Sequence, residues 1–286
     1  MKKILITGAD SYIGTSVERW LADSSTQYKI DTLDMKQEDW RTFSFAGYDA
    51  VFHVAGIAHV SADPNLKELY HKVNCELTIE TAKKAKREGV GQFVFMSSII
   101  VYGNQGKTGL IDANTKEAPV DFYGQSKLDA EAGLKSLADA TFKVAIIRPP
   151  MIYGKNSKGN YPRLAKMATR LPIFPMVDNK RSMLHIDNLC EFIRLVIERE
   201  AEGTFYPQNQ EYVNTSYMVK EIARCHHKKM FLVKGFGTLI KCFSAKIGIL
   251  RKVFGNLVYD KELSKHFENV YCVVDFAESI QRTETK

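Results

Sequence analysis

A tyrosine and a lysine four residues apart are the most chemically informative pair in this sequence. They are Tyr123 and Lys127 in YGQSK, on a predicted helix, where residues four apart share one face. A lysine ammonium beside a phenol stabilises the phenolate, so the pair predicts a tyrosine pKa lowered from about 10 toward neutrality. Such a tyrosine would serve as a general acid or base on a hydroxyl or carbonyl group. Ser98, which ends the apolar strand QFVFMSS, would hold the reacting oxygen. A YxxxK spacing alone more often marks a surface helix pair.

A glycine-flanked turn, TGADSYIG at residues 7–14, lies near the start of the chain. In a dinucleotide-binding turn, glycines permit the tight turn, the close approach of backbone to pyrophosphate, and helix–strand packing. Gly8 and Gly14 have the outer positions, but Ser11 stands between them, where its hydroxyl could itself donate to a phosphate. The helix N-terminus that follows would face the phosphates with about half a positive charge. An ordinary strand-to-helix turn is the alternative.

An acidic residue beyond this turn bears on the choice of dinucleotide. Asp34 lies twenty residues after Gly14, the distance at which an acid usually holds the adenosine ribose hydroxyls. Asp31 is an alternative ligand. Neither carboxylate suits a 2′-phosphate, so the sequence favours NAD, with NADP as the alternative.

Strand and helix patterns alternate along the first 150 residues. Strands are predicted at 4–7, 28–33, 50–55, 92–97 and 144–148, and helices at 15–22, 66–88 and 123–137, with one further helix at 189–200 beyond this region. Several strands are apolar on both faces, as parallel sheets require. The alternation predicts an α/β protein with a right-handed, doubly wound parallel sheet of the Rossmann type. Residues 1–150 would form the nucleotide-binding domain, with 181–200 returning to it, and 151–180 and 201–286 a smaller substrate-binding lobe.

Composition narrows the class of partner. The 286 residues carry a net charge of +7, which suits anionic ligands, but the basic residues are spread along the chain, so nucleic acid is not expected. Five scattered cysteines predict a reducing compartment, and no signal peptide or membrane-spanning run is evident, so the expected location is cytoplasmic. The adjacent pair His226 and His227 lacks further ligands, so no metal site is expected.

Together, the glycine turn, the serine and the YxxxK pair resemble the extended short-chain dehydrogenase/reductase superfamily. Within it, they resemble the NAD-dependent epimerase/dehydratase family, which acts on nucleotide sugars. The resemblance covers residues 3–200 and continues more weakly to the end. It implies a catalytic triad of Ser98, Tyr123 and Lys127. Tyr123 would then exchange a proton with the sugar C4 oxygen while a hydride passes to or from the nicotinamide.

The resemblance also implies binding residues for the two ligands. The implied NAD contacts, besides the triad's Tyr123 and Lys127, are Gly8, Ser11, Tyr12, Ile13, Gly14, Asp34, Met35, Ala55, Gly56 and Asn74. For the sugar nucleotide, the implied contacts are Asn160, Ile173, Phe174 and Arg181, with the arginine at the diphosphate.

Departures from the family pattern separate the candidate reactions. Sugar 4,6-dehydratases carry an Asp-Glu pair where this chain has Ile99 and Ile100, which cannot transfer protons. Many hexose 4-epimerases have a lysine at the position of Ala58. The segment between Gly14 and Val51 is also shorter than in larger members. The implied function is NAD(P)-dependent oxidoreduction at C4 of the UDP-hexose 4-epimerase type. The alternatives are a UDP-4-keto-6-deoxy-N-acetylhexosamine 4-ketoreductase and, less favoured, a non-catalytic NAD-binding sensor.

The expected partner is therefore a UDP-linked nucleotide-diphosphate sugar. The sequence leaves open whether the protein forms a homodimer. One segment, residues 228–256, is both basic and apolar. It predicts either a membrane-surface helix or the core of the substrate lobe with lysines on the solvated side. The second interpretation is favoured, so membrane association is not expected.

Overall fold

The structure, a computed structural model, describes residues 1–23, 27–57, 63–103, 109–235 and 253–285. The chain divides into two compact units. Unit 1 comprises Met1–Asn104, Lys116–Pro149 and Leu189–Pro207. Unit 2 comprises Gln105–Thr115, Pro150–Asn188 and Gln208–Lys286.

Twelve strands are present in the described residues. In chain order they are β1 (Lys2–Thr7), β2 (Tyr28–Leu33), β3 (Ala50–His53), β4 (Gln92–Met96), β5 (Leu110–Ile111), β6 (Lys143–Ile147), β7 (Met151–Tyr153), β8 (Ile173–Pro175), β9 (Met183–His185), β10 (Gly203–Phe205), β11 (Phe231–Val233) and β12 (Val258–Tyr259).

Unit 1 is built on a six-stranded sheet of order β10-β6-β4-β3-β1-β2, in which every pairing is parallel. Its central strands are buried on both faces; residues 4–6, 51–52 and 93–95 are fully buried. The chain runs from β1 outward to β2 and then crosses to β3 on the other side of β1. The order reverses there, so ligands are expected at the carboxyl ends of β1 and β3. The predicted doubly wound parallel sheet is confirmed.

Eight α-helices alternate with these strands in the described residues. They are α1 (Tyr12–Ala22), α2 (Lys67–His71), α3 (Leu77–Arg87), α4 (Phe122–Lys135), α5 (Asn160–Arg170), α6 (Ile186–Glu198), α7 (Thr215–Cys225) and α8 (Phe276–Glu284). The single long helix predicted at 66–88 is interrupted, because a π-helical turn at Lys72–Glu76 separates α2 from α3. Such turns are rare and occur frequently at functional sites.

Unit 2 has its own core, formed between α5, α7, α8 and short strand pairs. There β7 pairs with β9, and β8 with β11. Because β9 joins β7 rather than the large sheet, residues 181–188 cluster with unit 2, whereas the sequence assigned them to the first domain. In turn, β10 extends the large sheet beside β6, so 201–207 cluster with unit 1. Among the described residues, no helix combines the length and apolar character needed to cross a membrane.

Candidate active site

The glycine turn after β1 has no room for a side chain at its first position. Gly8 has φ of +107°, and a Cβ there would lie 2.7 Å from the backbone nitrogen of Ala55. The backbone N–H of Gly8 donates to the carbonyl of Leu33 at the end of β2, at 2.9 Å. The turn is therefore held between the ends of β2 and β3, at the switch point of the sheet.

Ser11 is the N-cap of α1. Its Oγ accepts a hydrogen bond from the backbone N–H of Gly14 at 3.0 Å, and its carbonyl accepts from Thr15 at 2.9 Å. A Cβ on Gly14 would lie 2.6 Å from that Oγ, so the serine cap itself requires glycine at position 14. Ser11 therefore stabilises the start of α1. The cap does not use its hydroxyl hydrogen, which can still donate to a ligand. The implied contact residues Tyr12 and Ile13 form the first turn of α1, half-buried.

Substitution of Ser11 separates its cap from any direct ligand contact. Ser11→Ala should lower the free energy of unfolding by about 1 kcal/mol, because the cap is lost, and Ser11→Gly by only a few tenths. If the serine acts only as a cap, both variants bind NAD as the parent does in a fluorescence titration. A loss of about 1.5–3 kcal/mol in NAD binding in both variants would instead identify a charge-assisted hydrogen bond to the cofactor.

The structure distinguishes the two candidate ribose ligands. Asp31 lies within β2, and its carboxylate accepts a hydrogen bond from the Tyr48 hydroxyl at 2.8 Å. Asp34 is exposed immediately after β2, next to the carbonyl that holds the glycine turn, and accepts from the backbone N–H of Lys36 at 3.0 Å. Met35 is buried and packs in a cluster that includes Ala55. Position therefore favours Asp34 over Asp31 for the ribose.

Asn74 lies in the π-helical turn and is fully buried. Its Oδ1 accepts from the backbone N–H of Ile57 at 2.8 Å, and its Nδ2 donates to the Ile57 carbonyl at 3.1 Å and to Ser126 Oγ at 3.2 Å. A Cβ on Gly56 would lie 2.8 Å from this Oδ1 and 3.4 Å from Lys127 Nζ. The amide implied as a cofactor contact therefore orders the backbone that follows β3.

Ser98 and Tyr123 are brought together by the approach of α4 to the end of β4. Gly124 makes this approach close, since a Cβ there would lie 3.1 Å from the carbonyl of Ile100. Asp121 caps α4 by accepting from the Gly124 N–H at 2.8 Å. Ser98 Oγ accepts a hydrogen bond from the backbone N–H of Ile100 at 3.3 Å. Its proximity to the phenol lowers the pKa of Tyr123, whereas burial of the phenol raises it.

The predicted direction of the Tyr123 pKa is wrong. Burial raises the pKa of Tyr123 to about 12, and the proximity of Ser98 only partly offsets this. Lys127 does not direct its charge at the phenol: its Nζ donates to the Met96 carbonyl at 2.8 Å and lies 4.6 Å from the centre of the Phe95 ring. Burial also lowers the pKa of Lys127 to about 8. The phenol is therefore protonated at neutral pH and can donate a proton.

A buried histidine that the sequence analysis did not single out links two parts of this site. His53 Nδ1 lies 2.7 Å from Thr7 Oγ1, and its Nε2 lies 3.1 Å from Thr78 Oγ1. Because Thr78 donates its hydroxyl hydrogen to the Asn74 carbonyl at 2.9 Å, Nε2 of His53 carries the imidazole hydrogen. Burial lowers the pKa of His53 to about 3, so it stays neutral. The signal in the sequence is a histidine ending the apolar strand AVFH.

The sequence analysis also did not identify a buried ion pair, which includes a glutamate one helical turn after Lys127. Glu131, one helical turn after Lys127, is fully buried and accepts from Arg148 Nε at 3.0 Å and from the hydroxyl of Ser97. Arg148 Nη1 also contacts Glu117 at 2.8 Å and the Tyr102 hydroxyl at 2.6 Å. A Glu four residues after Lys127 on the same helix is the signal that was available in the sequence.

In unit 2, Arg181 is a buried guanidinium without a carboxylate partner among the described residues. It is 9% exposed, its Nη1 donates to the Gly255 carbonyl at 2.9 Å, and its Nε has no hydrogen-bond partner in that part of the chain. Burial lowers its pKa to about 10. Backbone hydrogen bonds of 2.9 and 2.8 Å to Val213 fix its position. A buried charge of this kind is costly unless it is paired, so the residue suits an anionic ligand.

The other three residues implied in substrate binding differ in their exposure to solvent. Asn160 is half-buried at the start of α5. Phe174 is 1% exposed and packs in the unit 2 core, with its ring centre 5.7 Å from that of Phe254, whereas Ile173 is 57% exposed. Successive side chains of a strand point to opposite faces, so the side chains of these two residues have different surroundings. Their contact with substrate stays a prediction.

Two features of the sequence analysis lie wholly or partly outside the described residues. Ala58 lies outside the described residues. The basic and apolar segment 228–256 lies inside them only at 228–235 and 253–256.

Comparison with known proteins supports the resemblance. The family model of the NAD-dependent epimerase/dehydratase family matches residues 4–212. This chain belongs to that family. It is thus an NAD(P)-dependent enzyme, and the glycine turn, Asp34 and the buried Tyr123 lie within the part of the chain that the family model matches.

Individual relatives of this family member differ in their substrates. A UDP-glucose 4-epimerase from Vibrio cholerae is 31% identical over 251 residues, covering 78% of this chain and 75% of that protein. The N-acetyl-α-D-glucosaminyl-diphospho-ditrans,octacis-undecaprenol 4-epimerase of Escherichia coli O157:H7 is 26% identical, covering 79% and 73%. A crystal structure of a dTDP-4-dehydrorhamnose reductase from Bacillus anthracis with NADP shares the fold, with a TM-score of 0.74, 19% identity and full coverage of both chains.

Proposed function

We propose that this enzyme catalyses oxidoreduction at C4 of a UDP-linked hexose, as a 4-epimerase, through Ser98, Tyr123 and Lys127. The observation that carries the proposal is the close approach of α4 to the chain after β4, which places the buried Tyr123 beside Ser98, with the buried Lys127 one turn further along α4. Ile99 and Ile100 next to the serine carry no proton-transfer groups, which argues against a 4,6-dehydratase.

Each residue of the triad has a distinct task in this proposal. Tyr123 moves a proton to and from the C4 oxygen of the sugar, because its hydroxyl is the titratable group held at Ser98. Ser98 donates or accepts a hydrogen bond at the same oxygen and orients the phenol. Lys127 places a positive charge close to Gly56 and the end of β4, in a site where charge interactions are strong because water is excluded.

The residues of unit 1 fit NAD. The turn at Gly8 admits no side chain, the N-terminus of α1 offers backbone N–H groups to a pyrophosphate, and Asp34 stands exposed beside it for the ribose. When bound, NAD would supply the hydride acceptor and donor. Gly56, ordered by Asn74, would form part of the backbone near the cofactor.

The residues of unit 2 fit the nucleotide part of the substrate. Arg181 would hold the diphosphate, because a guanidinium fork matches phosphate oxygens and this one lacks a carboxylate partner among the described residues. Asn160 at the start of α5 would contribute an amide. The UDP group is proposed because the Vibrio cholerae relative is a UDP-glucose 4-epimerase.

A 4-ketoreductase is the second candidate, because reduction of a ketone starts from the protonated form of Tyr123. A phenol whose pKa is raised to about 12 is protonated at neutral pH, ready to donate to the oxygen of a ketone. The substrate would be a UDP-4-keto-6-deoxy-N-acetylhexosamine, reduced once in each turnover.

Two measurements distinguish these functions. Native mass spectrometry of the purified protein tests whether NAD is retained, as an epimerase that regenerates its cofactor requires. Incubation with NAD and UDP-glucose or UDP-N-acetylglucosamine, followed by NMR, should then show the C4 epimer. Oxidation of NAD(P)H by the 4-keto sugar without any epimerisation would identify the ketoreductase. No turnover in either assay would contradict both and leave the non-catalytic sensor.

Arg181→Ala should raise KM for the UDP-sugar at least tenfold, since a charge-assisted contact is worth about 1.5–3 kcal/mol. NAD affinity should change by no more than about twofold, because Arg181 belongs to unit 2 and the glycine turn to unit 1. Arg181→Lys keeps the charge without the fork and should have an intermediate KM. The matched control is Arg224→Ala, an exposed arginine of unit 2. Parallel losses for both ligands, or a KM equal to that of the control, would remove Arg181 from the substrate site.

A further inference from the structure

The outer face of α5 carries three basic side chains and one apolar side chain. Its exposed residues recur at the spacing i, i+3, i+4 and i+7, which places them on one side of the helix. They are Arg163, Lys166, Met167 and Arg170, opposite the buried Tyr161, Leu164 and Ala168. No acidic side chain forms an ion pair with the three cations within the described residues.

Large apolar side chains are exposed next to this face. Phe231 is 62% exposed and Ile173 57% exposed, and they are register partners in the parallel pair of β8 and β11, so their side chains lie side by side. Leu171 and Met167, at the end of α5, are 43% and 37% exposed. Single exposed apolar residues are ordinary, but a contiguous group marks an interaction surface.

Further cations surround these apolar groups. Lys228 and Lys229 are exposed just before β11, and Lys234 just after it. The Lys228 ammonium donates to the carbonyl of Thr169, which ties this segment to the last turn of α5. Residues 155–181 hold seven Lys or Arg and one acid, Asp178, and the described residues 228–235 hold three lysines and no acid.

We propose that this surface, the outer face of α5 with Leu171, Ile173, Phe231 and Lys228, docks on an anionic lipid bilayer. Exposed aliphatic and aromatic side chains mixed with unpaired cations are what the boundary between headgroups and acyl chains binds. Binding to duplex nucleic acid, through its phosphates, would use the cations but not Phe231 and Leu171. This docking surface departs from the favoured interpretation of segment 228–256 as core of the substrate lobe, because Phe231 is exposed to solvent.

Cosedimentation with vesicles tests the surface directly. The parent protein should bind vesicles of phosphatidylglycerol and phosphatidylcholine, and this binding should weaken as salt is raised. It should not bind vesicles of pure phosphatidylcholine. The double variant Lys166→Glu/Arg170→Glu and the double variant Leu171→Ser/Phe231→Ser should each lower the partition coefficient at least tenfold. The matched control is Lys83→Glu/Lys116→Glu, two exposed lysines of unit 1, which should bind as the parent does.

The outcomes divide cleanly. Thermal unfolding of each variant identifies a loss that comes from misfolding, and conservative Phe231→Leu provides a folded comparison that should keep most of the binding. Equal losses in the control variant, or vesicle binding unaffected by Leu171→Ser/Phe231→Ser, would overturn the proposal. Release by inorganic phosphate at millimolar concentration, or tighter binding to an oligonucleotide than to vesicles with no role for Phe231, would assign the cations to a phosphate or nucleic-acid site and overturn it as well.

Discussion

Tyr123→Phe should lower turnover on the nucleotide sugar by a factor of about 10²–10⁴, as loss of a general acid or base does. The substitution removes one oxygen from a buried ring and keeps its packing, including the edge contact with Tyr70 at 6.1 Å between ring centres. The effect should fall on kcat rather than on cofactor affinity. Turnover is measured under saturating substrate, and NAD binding by fluorescence.

The control for this experiment is Tyr153→Phe. Tyr153 is also buried, but it lies in unit 2, where its hydroxyl bonds Ser279 at 2.6 Å and Asn209 at 3.0 Å. Its loss should cost stability and leave kcat within a few-fold of the parent value. Near-normal turnover in Tyr123→Phe, or an equal drop in both variants, would exclude Tyr123 as the proton-transfer group.

Arg148→Met should lower the free energy of unfolding by about 3–5 kcal/mol, because it leaves the fully buried Glu131 without its charge partner. Arg148 itself is 1% exposed, so water cannot replace the lost contacts. Urea unfolding followed by tryptophan fluorescence measures the change. The double variant Arg148→Met/Glu131→Met should recover most of the loss, since a buried pair replaced by apolar groups is often neutral.

An exposed ion pair provides the comparison for Arg148. Arg224 contacts Glu221 at 2.8 Å on the surface of α7, and Arg224→Met should cost no more than about 1 kcal/mol. If Arg148→Met lowered the free energy of unfolding as little as Arg224→Met, the Arg148–Glu131 pair would not stabilise the fold as its burial indicates. A double variant as unstable as the sum of the two single variants would contradict the coupling between Arg148 and Glu131.

The elements of unit 1 were predictable because local patterns specify them. Short, largely apolar runs at 4–7, 50–53 and 92–96 are typical of buried strands of a parallel sheet, and the glycine at position 8 marks the turn between β1 and α1. The spacing of Tyr123 and Lys127 on α4 also follows from sequence, since helix periodicity alone puts them on one face. Where the pattern was least regular, in unit 2, the division of residues 181–207 between the two units was not predicted.

The sequence by itself determined the fold class, the family and the residues worth testing. Only the tertiary structure decided how deeply those residues are buried and which partners they contact. In the folded protein Ser11 caps a helix and Asn74 hydrogen-bonds to the backbone of Ile57. Phe174 is buried, whereas Ile173 is exposed. Burial also reversed the predicted pKa shift of Tyr123. The physical reason is that hydrogen-bond partners and burial depend on residues distant in the chain, such as Met96 for Lys127 and Arg148 for Glu131. Sequence spacing fixes which side chains share a face of one element, whereas the dielectric environment and the partner of each charge are set when elements pack.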